Sequence, residues 1–150
     1  KRDVMRYLLI ALTWVMMTGA AHAQMDDLSD AARSWLNKVR AEAGARAVTP
    51  SAKLKAAAAA HARDLAARGA FSHEGSDGSQ VGVRARRAGY RYCFVAENLA
   101  KGQGSLEAVL RGWMGSQGHR RNMLSREARE FALVRGPGNL WVMVLGRAGC

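Results

Sequence analysis

Three histidines and one glutamate outside the N-terminal segment are the side chains whose types and positions could support chemistry. His73 and His119 lie in polar segments that contain glycine, whereas His61 lies on an apolar stripe, where a histidine within or beside the core is expected. Glu97 directly follows the apolar segment Tyr92–Ala96. Imidazole and carboxylate groups exchange protons near neutral pH or bind divalent cations. Either chemistry requires the fold to bring together residues more than twenty positions apart.

No short-range signature decides between these chemistries. The sequence contains no HExxH motif, no CxxC motif and no pair of histidines at helical spacing. A site of His73, Glu97 and His119 would therefore be assembled only in three dimensions. Ser72 adjoins His73 and Ser116 precedes His119 by three residues, but neither serine lies in a Gly-x-Ser-x-Gly elbow. Binding and nucleophilic catalysis both stay open at this point.

The first 23 residues have the three-part composition of a secretory signal. A basic start (1–6) precedes an apolar run (7–20), and Ala21-His22-Ala23 supplies small residues at a cleavage site. The alternative is an N-terminal membrane anchor, but the run is shorter than the ~20 residues that a spanning helix needs. We expect cleavage after Ala23, a single domain over 24–150 without a further membrane span, and a periplasmic or extracellular location.

The chain is strongly basic, with 23 Lys and Arg against 12 Asp and Glu and a formal net charge of +11. Three of these basic residues and one acidic residue fall within 1–23, so the net charge of 24–150 is +9. Arginines are concentrated in two places, namely Arg84, Arg86, Arg87 and Arg91, and then Arg120, Arg121, Arg126 and Arg129. In an exported protein this charge predicts an anionic partner in the cell envelope and no nucleic acid. The alternative is a solvated basic surface that aids solubility.

The two cysteines, Cys93 and Cys150, both lie in the exported part of the chain. In an oxidising compartment a pair of cysteines is expected to form a disulfide. Such a bridge would stabilise the fold by about 4 kcal/mol in the chain-entropy model. The alternative is that Cys150, the last residue of the sequence, stays unpaired.

Apolar periodicity predicts the elements that must position these residues. The first predicted helix ends at Gly44 and places Arg40 on its outward face. The second predicted helix begins with Thr49 as N-cap and Pro50 at the first helical position. A short basic helix covers 80–88, and Ser105 caps a third long helix. Segment 115–125 is polar and is expected to be irregular.

β-type runs at 91–95, 131–134 and 140–146 predict strands, and the last two flank a turn at 136–139. Glu97 therefore follows the end of the first predicted strand. Helices come first and a hairpin closes the chain, which predicts an α+β fold with helices covering a small sheet.

Several short sequence motifs follow one another in an order that resembles the bacterial branch of the CAP (SCP/pathogenesis-related protein 1) domain family. The resemblance runs from about Leu28 to Gly146. The motifs on which the resemblance rests are Leu36–Arg40, Leu54–Ala66, Gly69–His73, Asp77–Ser79, Arg84, Ala88–Tyr90, Ala96–Ala100, Trp113–Ser116, Gly118–Leu124 and Leu140–Val142.

The resemblance implies a CAP-type α-β-α sandwich, with a small, mostly antiparallel sheet between helical layers and a central cleft. It implies that His73, Glu97 and His119 line that cleft. Many eukaryotic members hold a divalent metal with two histidines and two glutamates, but Ser116 stands at the position of the second glutamate. No cofactor is therefore required. His73, His119 and Glu97 form at most a conditional, weak zinc site, or Glu97 orients a histidine without touching metal.

Two further expectations come from the resemblance. Phe131–Val134 departs from the glycine-rich strand that is common in the family, which leaves the path of the penultimate strand open. Arg120 and Asn122 are expected to brace the loop that carries His119.

The resulting function hypothesis is an exported, monomeric CAP protein that binds a lipid or another anionic cell-envelope component. Its cleft would use His73, Glu97, His119 and Ser116. One alternative is a hydrolase of envelope peptide or ester bonds that uses the same cleft and is optionally assisted by metal. Another is purely structural attachment to the wall, for which the cleft would be dispensable.

Overall fold

The structure is a computed structural model that describes residues 24–150, so the predicted signal segment lies outside the described residues. Within 24–150, no helix combines the length and the apolar character needed to cross a membrane. The described elements are β1 (Asp26–Asp27), α1 (Ser29–Glu42), β2 (Thr49–Pro50), α2 (Ala52–Arg68), α3 (Val81–Arg87), β3 (Tyr92–Lys101), α4 (Leu106–Gly115), α5 (Gln117–Met123), β4 (Glu130–Gly136) and β5 (Leu140–Ala148).

The strands form one sheet in the order β1-β4-β5-β3, and the two-residue strand β2 pairs with β4. All pairings are antiparallel except the β2–β4 pair, which is parallel. The predicted hairpin turn joins β4 to β5, where Gly138 and Asn139 adopt positive φ angles of 70° and 54°. β3 occupies one edge of the sheet and pairs with β5 alone among the described strands. The candidate residues of segment 92–101 therefore lie at a sheet edge.

Alternating side chains of β4 and β5 face two separate cores. Phe131 and Met143 pack with residues of α1, α4 and α5 on one face of the sheet. Val134 and Val144 pack with residues of α2 and α3 on the other face. The chain is therefore an α+β, α-β-α sandwich, as predicted. Phe131–Val134 forms most of β4, and its side chains alternate between the two cores.

The predicted start of the second helix is wrong by two residues. Ser51 is the N-cap of α2, and its Oγ accepts a hydrogen bond from the Leu54 amide at 3.5 Å. Thr49 and Pro50 pair with β4 instead, and the Ser51 amide donates to the carbonyl of Phe131 at 2.9 Å. A tertiary strand pairing thus takes precedence over a local capping signal.

The predicted irregular segment 115–125 is also wrong, because α5 follows α4 after the single extended residue Ser116. Arg40, expected to face outward, is fully buried. Its guanidinium donates to the carbonyl of Met123 at 2.6 Å and to that of Ser125 at 3.1 Å. The end of α5 is therefore held by α1, a contact between residues far apart in the sequence.

Pairing of β3 with β5 brings the two cysteines together. Tyr92 is opposite Ala148 in this register. Cys93 and Cys150 form a disulfide with a Cα–Cα distance of 5.4 Å. This bond ties Cys150 to the start of the strand that carries Glu97.

Candidate functional site

Glu97 lies in the middle of β3, opposite Val144 of β5, and not after the end of the strand as predicted. Two residues further along the strand, Leu99 belongs to the core on the α2–α3 side. Because alternate residues of a strand share a face, Glu97 points toward the same helical layer. Its side chain is only 2% exposed. A charge at this depth requires partners that compensate for lost hydration.

An arginine and a histidine compensate the Glu97 carboxylate. Arg84 Nη2 donates to Glu97 Oε2 at 2.9 Å, and His73 Nδ1 donates to Oε1 at 2.8 Å. The Arg84 guanidinium also donates to the carbonyls of Ser79 and His73, the latter at 3.0 Å. Arg84 thus holds both Glu97 and the loop that positions His73.

Sequence reasoning assigned Arg84 to an exposed basic cluster and so missed its role. Its side chain is 6% exposed, whereas Arg87 on the same helix is 59% exposed. A signal was present in the spacing, because Val81, Arg84, Ala85 and Ala88 occupy the i, i+3, i+4 and i+7 positions of one helix face. An arginine on the inward stripe of a short helix predicts a buried carboxylate partner.

His61 lies inside the structure, as its apolar stripe predicted, but it also contacts the site. Its Nε2 donates to the carbonyl of Ser72 at 2.8 Å and lies 3.8 Å from Glu97 Oε1. Burial lowers the pKa of His61 and outweighs the opposing effect of Glu97. His61 is therefore a neutral imidazole that ties α2 to the loop carrying His73.

His73 is the exposed member of this network, with 56% of its side chain accessible. Because Nδ1 donates to Glu97, the other ring nitrogen, Nε2, is left available to a ligand. The hydrogen bond with Glu97 raises the pKa of His73, against the smaller opposing effect of partial burial. The site therefore presents a proton-exchanging imidazole in a fixed orientation.

His119 reaches the site from the opposite helical layer, on α5. Its carbonyl accepts a hydrogen bond from Asn98 Nδ2 at 3.1 Å. Asn122 Nδ2 in turn donates to Asn98 Oδ1 at 2.8 Å and to the Glu97 carbonyl at 3.2 Å. Burial lowers the pKa of His119, and electrostatic repulsion from His73 adds to the effect. The two histidines are thus close enough to influence each other's charge.

Asn122 connects α5 to the strand of Glu97, which agrees with its expected bracing role. Arg120 is exposed and donates to the carbonyl of Met114 at 3.3 Å, a contact within the α4–α5 corner. The amide of Asn122, more than Arg120, therefore fixes the position of His119 relative to Glu97.

A groove of about 570 Å³ runs along the edge of β3 beside His119. Trp113 forms part of its floor, with Nε1 donating to the Leu99 carbonyl at 3.0 Å. Ser116 lies in its wall at the junction of α4 and α5. The full lining is Phe71, Leu99, Ala100, Lys101, Gln103, Val109, Gly112, Trp113, Ser116 and His119. It contains aromatic, cationic and neutral polar side chains but no carboxylate within the described part of the chain.

The metal site of His73, His119 and Glu97 does not fit this geometry. In residues 24–150, no group of three or more His, Cys, Asp or Glu side chains is arranged to hold a metal ion. One Glu97 oxygen is bonded to the Arg84 guanidinium and the other to His73. A metal cation would have to displace one of these partners and lie near a buried positive charge. The observed hydrogen bond is the one expected of the alternative arrangement, in which Glu97 orients His73 without itself touching a metal.

Comparison with protein families agrees with this arrangement of elements. The model of the CAP family, described as the cysteine-rich secretory protein family, matches residues 33–142. The chain belongs to the CAP family. The CAP match includes all the site residues described above, from His61 to Asn122.

Individual relatives extend the comparison. The CAP domain is 30% identical over 89 residues to the protein YkwD of Bacillus subtilis, a match that covers 59% of this chain and 35% of that protein. The chain thus spans about a third of the length of this curated relative. An extracellular SCP-domain protein of Bacillus anthracis superposes with a TM-score of 0.74 at 21% identity, over 79% of this chain and 40% of that one. An outer surface protein of Borrelia burgdorferi gives a TM-score of 0.74 at 16% identity, over 85% of this chain and 99% of that one. At these identities the two structures establish the shared fold alone.

Proposed function

We propose that this CAP domain is an exported, monomeric binding protein whose cleft takes a lipid or another anionic cell-envelope ligand. The observation that carries the proposal is the fixed orientation of His73. Buried Glu97 holds its Nδ1, which leaves Nε2 available on a side chain that is 56% exposed. His119 lines the neighbouring groove, which has no carboxylate among the described residues. A protonated His73 donates a charge-assisted hydrogen bond to an anionic group. Phe71, which is exposed, offers apolar surface to the rest of the ligand.

Export is supported by three independent features. Residues 1–23 have the composition of a cleavable signal, whose removal leaves 24–150. The Cys93–Cys150 disulfide suits an oxidising compartment. Two structural relatives are described as an extracellular protein and an outer surface protein. The excess of basic residues then favours anionic envelope partners over nucleic acid.

Hydrolysis is the second candidate, and the Glu97–His73 pair is the observation that favours it. A carboxylate that holds Nδ1 leaves Nε2 free to act as a general base. Among the described residues, however, no serine hydroxyl is hydrogen-bonded to His73. The Ser72 hydroxyl accepts from the Glu74 amide at 3.0 Å. A hydrolase would therefore activate water, and binding is the better-supported function.

The cofactor assignment follows from the same pair. Since Arg84 and His73 already occupy both Glu97 oxygens, we propose that the cleft works without a resident metal. Zinc would have only the imidazoles of His73 and His119 as ligands, which predicts weak binding.

The test compares the protein with a His73→Gln/His119→Gln variant. Anionic vesicles of phosphatidylglycerol and isolated envelope fragments serve as probes, and Arg63→Gln on α2 is a control that removes an exposed charge away from the cleft. We expect binding by the parent and the control and at least about tenfold weaker binding by the double variant. Retained binding by the double variant would remove the cleft from the function and favour simple attachment through the basic surface.

The same preparations separate binding from hydrolysis. Peptide and ester substrates are incubated with each protein, with and without zinc, and zinc affinity is measured by calorimetry. Turnover by the parent that is lost in the double variant would replace the binding proposal with the hydrolase. Tight, stoichiometric zinc binding that requires both histidines would overturn the proposal of a metal-independent cleft.

A further inference from the structure

One wall of the groove is an exposed aromatic side chain. Phe71 is 54% exposed, although it lies between α2 and the loop that carries His73. It lines the groove together with Trp113, whose indole is almost fully buried. Covering exposed apolar surface of this kind with the methyl or methylene groups of a ligand lowers the free energy of the complex.

Gln103 lines the same groove and carries an unused hydrogen-bond acceptor. The Gln103 backbone carbonyl accepts from Trp141 Nε1 at 2.9 Å, which fixes the position of the residue. Its side-chain Oε1 is buried and has no hydrogen-bond partner among the described residues. A buried acceptor without a donor is unfavourable, and a ligand N–H group would satisfy it. A fatty-acid chain or a phosphate diester carries no such donor, whereas a peptide group does.

Lys101 supplies a positive charge two residues from this amide. It ends β3, is exposed and lines the groove. Within 24–150 it has no carboxylate partner at salt-bridge distance. This ammonium makes the part of the groove beside Lys101 suited to an anionic group.

We infer that the ligand of this groove is a short peptide of small residues that ends in a free carboxylate. The terminal carboxylate pairs with Lys101, a peptide N–H donates to the Gln103 amide, and side-chain methyl groups cover Phe71. A groove of about 570 Å³ is of ordinary size for a small ligand. The inference names the ligand class for the cleft and therefore rests on the proposed binding function.

Two envelope sources share this chemistry, namely the D-amino-acid ends of cell-wall stem peptides and the L-amino-acid ends of proteins. The probes are N-acetyl-dialanine in its D,D and L,L forms, the corresponding C-terminal amides, octanoate and glycerol phosphate. Binding is measured by calorimetry and by backbone amide shifts in NMR spectra. We expect one or both dialanine acids to bind, the amides to bind at least about tenfold more weakly, and octanoate and glycerol phosphate to bind more weakly still. The preferred stereoisomer identifies the source.

Three variants test the individual contacts. Lys101→Gln should weaken binding of the acid about tenfold and leave binding of the amide unchanged. Gln103→Met, which removes the amide at similar size, should weaken both, and Phe71→Ala should weaken both by a smaller factor. The matched control is Lys53→Gln, which removes an exposed positive charge on α2 outside the groove and should leave binding of every probe unchanged.

The outcomes separate this inference from the proposed function. Equal binding of acid and amide, or tighter binding of octanoate or glycerol phosphate, overturns the peptide assignment. If vesicle binding depends on His73 and His119 but dialanine does not bind, the peptide assignment is also overturned, whereas the proposed function is supported. Dialanine binding that responds to Lys101 but not to the histidine variant supports the peptide groove and overturns the proposed role of the imidazoles.

Discussion

The buried ion pair between Arg84 and Glu97 predicts a large difference between two arginines of the same short helix. Arg84 and Glu97 are 6% and 2% exposed, whereas Arg87 and its partner Asp77 are 59% and 48% exposed. Removing one partner of a buried pair leaves an uncompensated charge and costs about 3–5 kcal/mol. An exposed pair contributes about 1 kcal/mol or less. We therefore expect Arg84→Met to lower the free energy of unfolding by at least about 2 kcal/mol more than Arg87→Met does.

Urea unfolding at neutral pH with the disulfide intact measures this difference. For a slope of about 1–3 kcal/mol per molar urea, the midpoint of Arg84→Met falls by at least about 1 M. Domains are commonly stable by about 5–15 kcal/mol, so a folded population remains to be measured. The double variant Arg84→Met/Glu97→Gln removes the uncompensated charge and should recover part of the loss. Equal midpoints for Arg84→Met and Arg87→Met, or no recovery in the double variant, would refute the view that a buried charge pair organises the site.

Three further outcomes are expected. NMR titration should give a pKa above the ordinary histidine value for His73, and Glu97→Gln should lower it, since the hydrogen bond and charge of Glu97 raise it. Because the pKa of His73 is higher in the folded than in the unfolded state, its contribution to the free energy of unfolding is complete below about pH 6.5 and is lost as the pH rises through the folded-state pKa. An unchanged His73 pKa in Glu97→Gln would contradict the contact. Reducing the Cys93–Cys150 disulfide should lower the free energy of unfolding by up to about 4 kcal/mol, measured by urea unfolding with and without reductant, and no change in midpoint would show that the bridge adds no stability. Ser51→Ala should cost about 1 kcal/mol through loss of the α2 N-cap, and thermal unfolding would show no effect if Thr49 were the cap as the local sequence suggests.

Local signals in the sequence predicted most of the secondary structure because they act within one turn of the chain. Ser105 caps α4 by accepting from the Ala108 amide at 3.2 Å, and Gly69 ends α2 at a φ of 62°. The turn before β5 likewise has positive φ angles at Gly138 and Asn139, residue types that tolerate this conformation. Predictions failed where distant residues decide the conformation. Pro50 joins the sheet because it pairs with β4. α5 ends where the Arg40 guanidinium of α1 donates to the carbonyls of Met123 and Ser125.

The same division applies to the candidate site. The residue types and the order of the short motifs in the sequence identified His73, Glu97 and His119 as candidates, together with the fold that would position them. The sequence could not show that Arg84 and His73 take both oxygens of Glu97, because these contacts cross 13 and 24 positions of the chain. That pairing exists only because β3 places a carboxylate under α3, where burial makes a compensating charge necessary. The sequence alone determined which groups are available, and the tertiary structure decided that both Glu97 oxygens are hydrogen-bonded, one to Arg84 and the other to His73.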